Sequence, residues 1–117
     1  MFKRLFSFFR REPVRIHGSS KLVEGRAHKI TVGDPLAGTG RDVLLVRVDG
    51  VVHAIDNQCP HAGAFIDDGP LVGGKYLLCP MHNYQFDPKS GACVNAACRN
   101  ARRYKVREAD DVLELHV

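Results

Sequence analysis

The chain has 117 residues and a mass of 13.0 kDa, enough for one domain with a real core but not for a separate substrate domain. Its 44% hydrophobic and 26% charged residues fit a soluble globular domain, and no stretch approaches the roughly 20 apolar residues of a membrane-spanning helix. The net charge of +4 comes from residues 1–15, whereas residues 16–117 carry 12 basic and 12 acidic groups, so the domain lacks the basic stripe of a nucleic-acid binder.

In chain order, residues 1–13 form a basic, amphipathic N-terminal segment. Phe2, Leu5, Phe6 and Phe9 fall at helical spacing, with Lys3, Arg4, Ser7 and Arg10 off that face. Three uses are open to it: docking on the domain or a partner, lying on an anionic membrane surface, or fraying without a role. The apolar run breaks after Phe9, too early for a secretion signal, and Glu12-Pro13 after Arg10-Arg11 makes a poor twin-arginine match. The expected compartment is the cytoplasm, where cysteines serve metals or catalysis more often than disulfides.

From residue 14 to residue 117 the pattern is β. Arg26–Val32 alternates polar and apolar residues and ends at Gly33-Asp34-Pro35, and Leu36–Gly40 reads as a loop. Asp42–Val48 and Val51–Ile55 form two strands around Asp49-Gly50, a strong two-residue hairpin signal. Lys75–Leu78 and Tyr84–Phe86 are short strands, and Arg103–Arg107 with Val112–Val117 makes a closing hairpin across Glu108–Asp111. Many short strands with Gly, Pro and Asp between them predict an all-β, antiparallel sandwich or barrel.

Two loops, at about residues 57–66 and 78–88, carry similar chemistry. One holds Cys59-Pro60-His61 and the other Cys79-Pro80-Met81-His82, with 17 residues between His61 and Cys79. A single zinc ion usually takes ligand pairs two to four residues apart. A one-residue gap in the first pair is awkward for one tetrahedral ion. The spacing is natural if each loop gives a thiolate to one metal atom and an imidazole to a second, with bridging sulfides completing both.

This pattern, with Cys59-Pro-His-Ala-Gly-Ala, Cys79-Pro-Met-His-Asn-Tyr-Gln-Phe-Asp and then Ser90-Gly91, resembles the cluster-binding loops of Rieske-type [2Fe–2S] ferredoxins. The resemblance extends over most of residues 20–117. It implies a Rieske-like β-sandwich with a small cluster-binding subdomain and one [2Fe–2S] cluster. It places Cys59 and Cys79 on one iron and His61 and His82 on the other. Two ferric ions, two sulfides and two thiolates sum to zero charge. An all-cysteine cluster is more negative in either state, so imidazole ligands favour reduction.

Departures from the high-potential branch of that family point to a low potential. The positions of its loop-bridging disulfide are Ala64 and Met81 here, and its serine and tyrosine donors to sulfur are replaced by Tyr84 and Phe86. Fewer donors stabilise the added electron less. The carrier ferredoxins usually flank the second histidine with Trp and Gly; here Met81 and Asn83 stand there, and Asn83 is suited to the left-handed backbone glycine would supply.

The remaining candidates are weaker. Asp56, Asp67, Asp68 and Asp87 face only Lys75 in residues 56–87, an acidic surface able to steer a basic partner or simply a solvated turn. His17, His28, His53 and His116 read as surface or strand histidines, and Gly63, Gly69 and Gly91 as turn glycines; Cys93 and Cys98 read by default as free thiols, with a disulfide or a second metal pair as the alternatives. The expected function is one-electron transfer from a reductase to an oxygenase or other terminal enzyme, with no independent catalysis. The alternatives are the small subunit of an assimilatory nitrite reductase and a structural zinc or interaction module.

Overall fold

A computed structural model of the chain describes residues 13–60 and 64–117. The amphipathic stretch of the N-terminal segment lies outside them. The strands are β1 (Val14–His17), β2 (Arg26–Val32), β3 (Arg41–Val48), β4 (Val51–Asp56), β5 (Gly69–Pro70), β6 (Leu77–Cys79), β7 (Tyr84–Phe86), β8 (Arg103–Ala109) and β9 (Val112–His116). Seven form one curled antiparallel sheet in the order β1-β9-β8-β4-β3-β2-β5, and β6 and β7 form a separate hairpin. The all-β antiparallel architecture is as expected.

The Asp49-Gly50 turn forms where its residues require it. Their φ angles are +53° and +79°, the left-handed pair that lets a two-residue turn follow the twist of its strands. It sets the β3–β4 register from Val48↔Val51 to Val43↔Asp56. The closing hairpin is tighter than expected. Pairing continues to Ala109↔Val112, leaving only Asp110 and Asp111 to turn, at φ +52° and +64°. Glu108 is held in the strand because both its carboxylate oxygens accept hydrogen bonds from Arg47, at 3.0 and 2.8 Å. The same guanidinium donates to the carbonyls of Ser19, Leu22 and Gly50, tying the start of the domain to the β3–β4 turn.

Val43-Leu44-Leu45-Val46 is an unbroken apolar run, and β3 is buried on both faces there. Successive side chains of a strand point to opposite faces. Val43 and Leu45 therefore join Val52, Ala54, Leu113 and Leu115 inside the curl of the sheet. Leu44 and Val46 join Ile66, Leu77, Phe86, Cys59 and Cys79 on the other side. The small β6–β7 lobe thus packs on the back of the main sheet, and the two cysteines belong to that second core.

Candidate metal centre

Cys59 sits just beyond β4, in a loop pinched shut by its own backbone. The Ile66 N–H donates to the Asn57 carbonyl (2.7 Å) and the Cys59 N–H to the Ala64 carbonyl (2.6 Å). Asn57, 4% exposed, closes the same loop from its side chain, donating from Nδ2 to the Ile66 carbonyl at 2.9 Å. A buried amide with a backbone partner is stable; one without would cost free energy. Asn57 is a loop-positioning residue that pattern reading missed, and its only signal is a polar residue two positions ahead of the cysteine.

Cys79 ends β6 and pairs with Tyr84 across the hairpin. The chain turns over Pro80–Asn83, and Asn83 adopts φ +57°, the left-handed conformation expected of it. The Asp67 N–H donates to the Leu78 carbonyl at 2.9 Å, joining the first loop to the second hairpin.

These constraints bring Cys59 and Cys79 side by side, within hydrogen-bonding reach of one another. Both are free thiols and essentially inaccessible, at 1% and 0% exposure. Burial pushes the Cys79 thiol up from its ordinary range. The Met81 backbone N–H, which donates to its sulfur, pulls it down, and the adjacent Cys59 pushes it up again. Two neighbouring buried thiols ionise together only if a cation compensates them. The pair, with a backbone donor aimed at one sulfur, fits a thiolate-ligated metal group.

His82 is exposed at the tip of the same hairpin, its ring edge-on to Tyr84 with centroids 5.6 Å apart. His61 lies outside the described residues, as does Gly63. Among the four expected site residues, the structure therefore joins Cys59 to Cys79 and puts His82 on the Cys79 hairpin. His17, His28, His53 and His116 lie on strands β1, β2, β4 and β9, as expected. Burial, and then the nearby Arg103, lower the His53 pKa.

Neither Ala64, half-buried, nor Met81, 55% exposed, carries a thiol, so no disulfide links the loops at those positions. With Phe65, 65% exposed, Met81 adds apolar surface beside the loops. The acidic surface is narrower than the sequence suggests. Asp67 and Asp68 are exposed, but Asp56 accepts hydrogen bonds from the Gln58 N–H and the Tyr104 hydroxyl, and Asp87 from the Lys89 N–H.

Cys93 and Cys98 are not free thiols: they form a disulfide, with their Cα atoms 5.9 Å apart. The physical reason is a fold-back of residues 93–98. Cys93 bridges to Phe86, the Val94 N–H donates to the Gln85 carbonyl, and Asn95 Oδ1 accepts from the Gln85 N–H. Strand β7 acts as a template that turns the chain and returns Cys98 to Cys93.

Residues 12–110 match the Rieske [2Fe-2S] domain family. The chain is 36% identical over 89 residues to the ferredoxin component of a naphthalene 1,2-dioxygenase system from Pseudomonas putida, covering 75% of this chain and 79% of that protein. It is 45% identical over 61 residues to the cholesterol 7-desaturase nvd of Hemicentrotus pulcherrimus, which is 51% of this chain but only 13% of that larger protein. Among solved structures, the ferredoxin of carbazole 1,9a-dioxygenase from Nocardioides aromaticivorans IC177 superposes with a TM-score of 0.73 at 29% identity, over 91% of this chain and 98% of that one. A nitrite reductase small subunit from Mycobacterium tuberculosis superposes with a TM-score of 0.63 at 24% identity, over 89% of this chain and 94% of that one, a likeness of fold.

Proposed function

The chain belongs to the Rieske [2Fe-2S] domain family, and from that membership we propose that it is a one-electron carrier, accepting from a reductase and delivering to an oxygenase or other terminal enzyme. It holds one [2Fe–2S] cluster. In this reading Cys59 and Cys79 take one iron, and His61 and His82 take the other. The observation that carries it is the buried, unoxidised Cys59–Cys79 pair at the meeting point of two loops.

When bound, the cluster supplies a one-electron couple whose reduced form carries one more negative charge. The residues around it set the conditions for that couple. The Leu44 core excludes water from the thiolate side. The Met81 N–H donates to the Cys79 sulfur and stabilises negative charge there. His82, exposed at the tip, gives a partner protein a short route to the site, while Phe65 and Met81 offer it apolar surface.

The carrier reading draws on the small relatives, since the chain spans only 13% of the cholesterol 7-desaturase and 26% of the dicamba O-demethylase oxygenase. The chain spans 79% of the naphthalene dioxygenase ferredoxin and 98% of the carbazole dioxygenase ferredoxin aligns with it. Cytoplasmic location is part of the same reading and is tested by cell fractionation. No helix among the described residues is long and apolar enough to cross a membrane.

The function is tested on anaerobically purified protein. Iron and sulfide analysis, the electron paramagnetic resonance of the reduced form, and stepwise transfer from a flavoprotein reductase to a ring-hydroxylating oxygenase are the readouts. Transfer through the protein at a stoichiometry of one electron supports the proposal. Protein that stays iron-free after reconstitution refutes it.

A further inference from the structure

We propose that the Cys93–Cys98 loop is a redox-sensitive clamp on both cluster-binding loops, so that reduction of its disulfide loosens the cluster site. The inference rests on the ligand assignment proposed above, and on three contacts that converge on one short ring of chain. Asn95, inside the ring, donates from Nδ2 to the Asn83 carbonyl at 2.8 Å, next to His82. Its Oδ1 accepts from the Gln85 N–H at 2.9 Å. Arg99, the residue after Cys98, donates from Nη2 to the Pro60 carbonyl at 2.9 Å, next to Cys59. One side of the ring thus holds the second loop and its end holds the first.

The two sulfurs are placed for such a role. Cys93 and Cys98 are half-buried and pack against the core that contains Cys59 and Cys79. Residues 94–97 between them are all exposed, which leaves the bond open to attack from the solvent side. The reductant is a dithiol. One of its thiolates attacks a ring sulfur, the Cys93–Cys98 bond breaks, and a mixed disulfide forms. Its second thiol then displaces the protein, which leaves with two thiols while the reductant becomes a disulfide. Two electrons and two protons pass to the protein. The opened ring no longer holds Asn95 and Arg99 in place, so each contact must be made against the entropy of a freer segment.

The test measures cluster release from the holoprotein into a ferrous chelator, with and without dithiothreitol, while alkylation and mass spectrometry count the thiols. Reduction should add two alkylated cysteines at positions 93 and 98 and speed release by about fivefold, the effect of losing one hydrogen bond. A double Cys93→Ser, Cys98→Ser variant should release fast in both conditions, which separates the clamp from direct attack on the cluster. Arg99→Ala should speed release in the disulfide form, and reduction should then add less than it does in the parent; Arg99→Lys, which keeps a donor, should recover slow release. Equal release from the disulfide and dithiol forms overturns the clamp, as do strictly additive effects of Arg99→Ala and reduction. Two thiols in the purified protein that no oxidant couples overturn it too. A chain that binds no cluster instead overturns the functional reading, so the two failures are distinguishable. If a variant does not fold, release from the parent in its disulfide form is compared with release from the parent reduced, alkylated at both cysteines and freed of dithiothreitol, and equal rates overturn the clamp.

Discussion

Leu44 and Leu45 are neighbours in β3, yet they are buried in different cores, one on each face of the sheet. Leu44 shares its core with Cys59 and Cys79; Leu45 packs inside the curl against Leu113 and Leu115. Truncation of either to alanine should destabilise the fold by about 3 kcal/mol through lost burial and a residual cavity. Only Leu44→Ala should also shorten the lifetime of the cluster. Urea unfolding and the decay of visible absorption, measured on both variants, check this. Equal cluster lifetimes would show that the two cores do not act separately.

Cys59→Ser and Cys79→Ser should each abolish stable cluster assembly, since a neutral hydroxyl replaces a thiolate in a site that excludes water. Iron content and the visible spectrum are the measurements. The main sheet should persist in far-ultraviolet circular dichroism, because its inner core does not include either cysteine. A serine variant with full iron content would contradict the assignment.

The reduction potential should lie near the low end of the Rieske range, at about −150 mV. Phe86 is completely buried and has no hydroxyl to offer a sulfur. With it, the site lacks one donor that would stabilise the reduced charge. A redox titration followed by visible absorption settles the value, and a clearly positive potential would count against this account of the donors.

Acid should destabilise the fold through Glu108. The Arg47 guanidinium, hydrogen-bonded to it, holds its carboxyl below the ordinary value of 4.5. A carboxyl with a depressed folded pKa contributes stability in full above its unfolded value, and that stability is lost as pH falls through the folded value. Stability should therefore decline below about pH 4.5. Glu108→Gln should cost about 1–2 kcal/mol at neutral pH and lessen the acid limb, to which Asp49 and Asp111, held low by their hydrogen bonds to Lys89 and Ser20, still contribute. His53 works in the same direction at higher pH: its pKa is lowered by burial, so stability should also fall as pH drops below its ordinary 6.5. Glu108→Gln should leave that part unchanged. Urea midpoints across pH 3–8 provide the check.

Gly91→Ala should destabilise the region around the second loop by about 2–4 kcal/mol. Gly91 has φ +80°, and a Cβ there would lie 2.5 Å from the Ala101 carbonyl oxygen. Backbone at such a distance cannot yield cheaply. The Gly91 carbonyl also accepts from the Ala101 N–H at 2.7 Å, so a shift would break a pairing that holds the disulfide loop against the lobe. Thermal unfolding of the variant measures the loss.

Elements specified by local chemistry were legible from sequence. Arg26–Val32 and Tyr84–Phe86 occupy the expected residues because alternation and flanking turn residues define them. The Asp49-Gly50 turn and the left-handed Asn83 follow from single residue types. The cysteine spacing singled out Cys59 and Cys79, two buried free cysteines that share one core in the fold. What was not legible depends on contacts between distant segments. Nothing local marks Arg47 as a hub for Ser19, Leu22, Gly50 and Glu108. Strand β5 exists only because Gly69 and Pro70 meet Ala27 and Arg26. The Cys93–Cys98 bond depends on Asn95 being captured by a strand that precedes it, which no count of cysteines or ligand partners conveys.

The sheet ends on β5, a strand of two residues whose second is Pro70. Such a stub presents almost no ladder for another chain to extend, and proline has no N–H to give it. Where β5 covers Arg26 and Ala27 of β2, this margin discourages zipping of one copy onto the next. A protein that must meet one partner, part, and meet another gains from a border that does not adhere, since self-association would remove it from circulation.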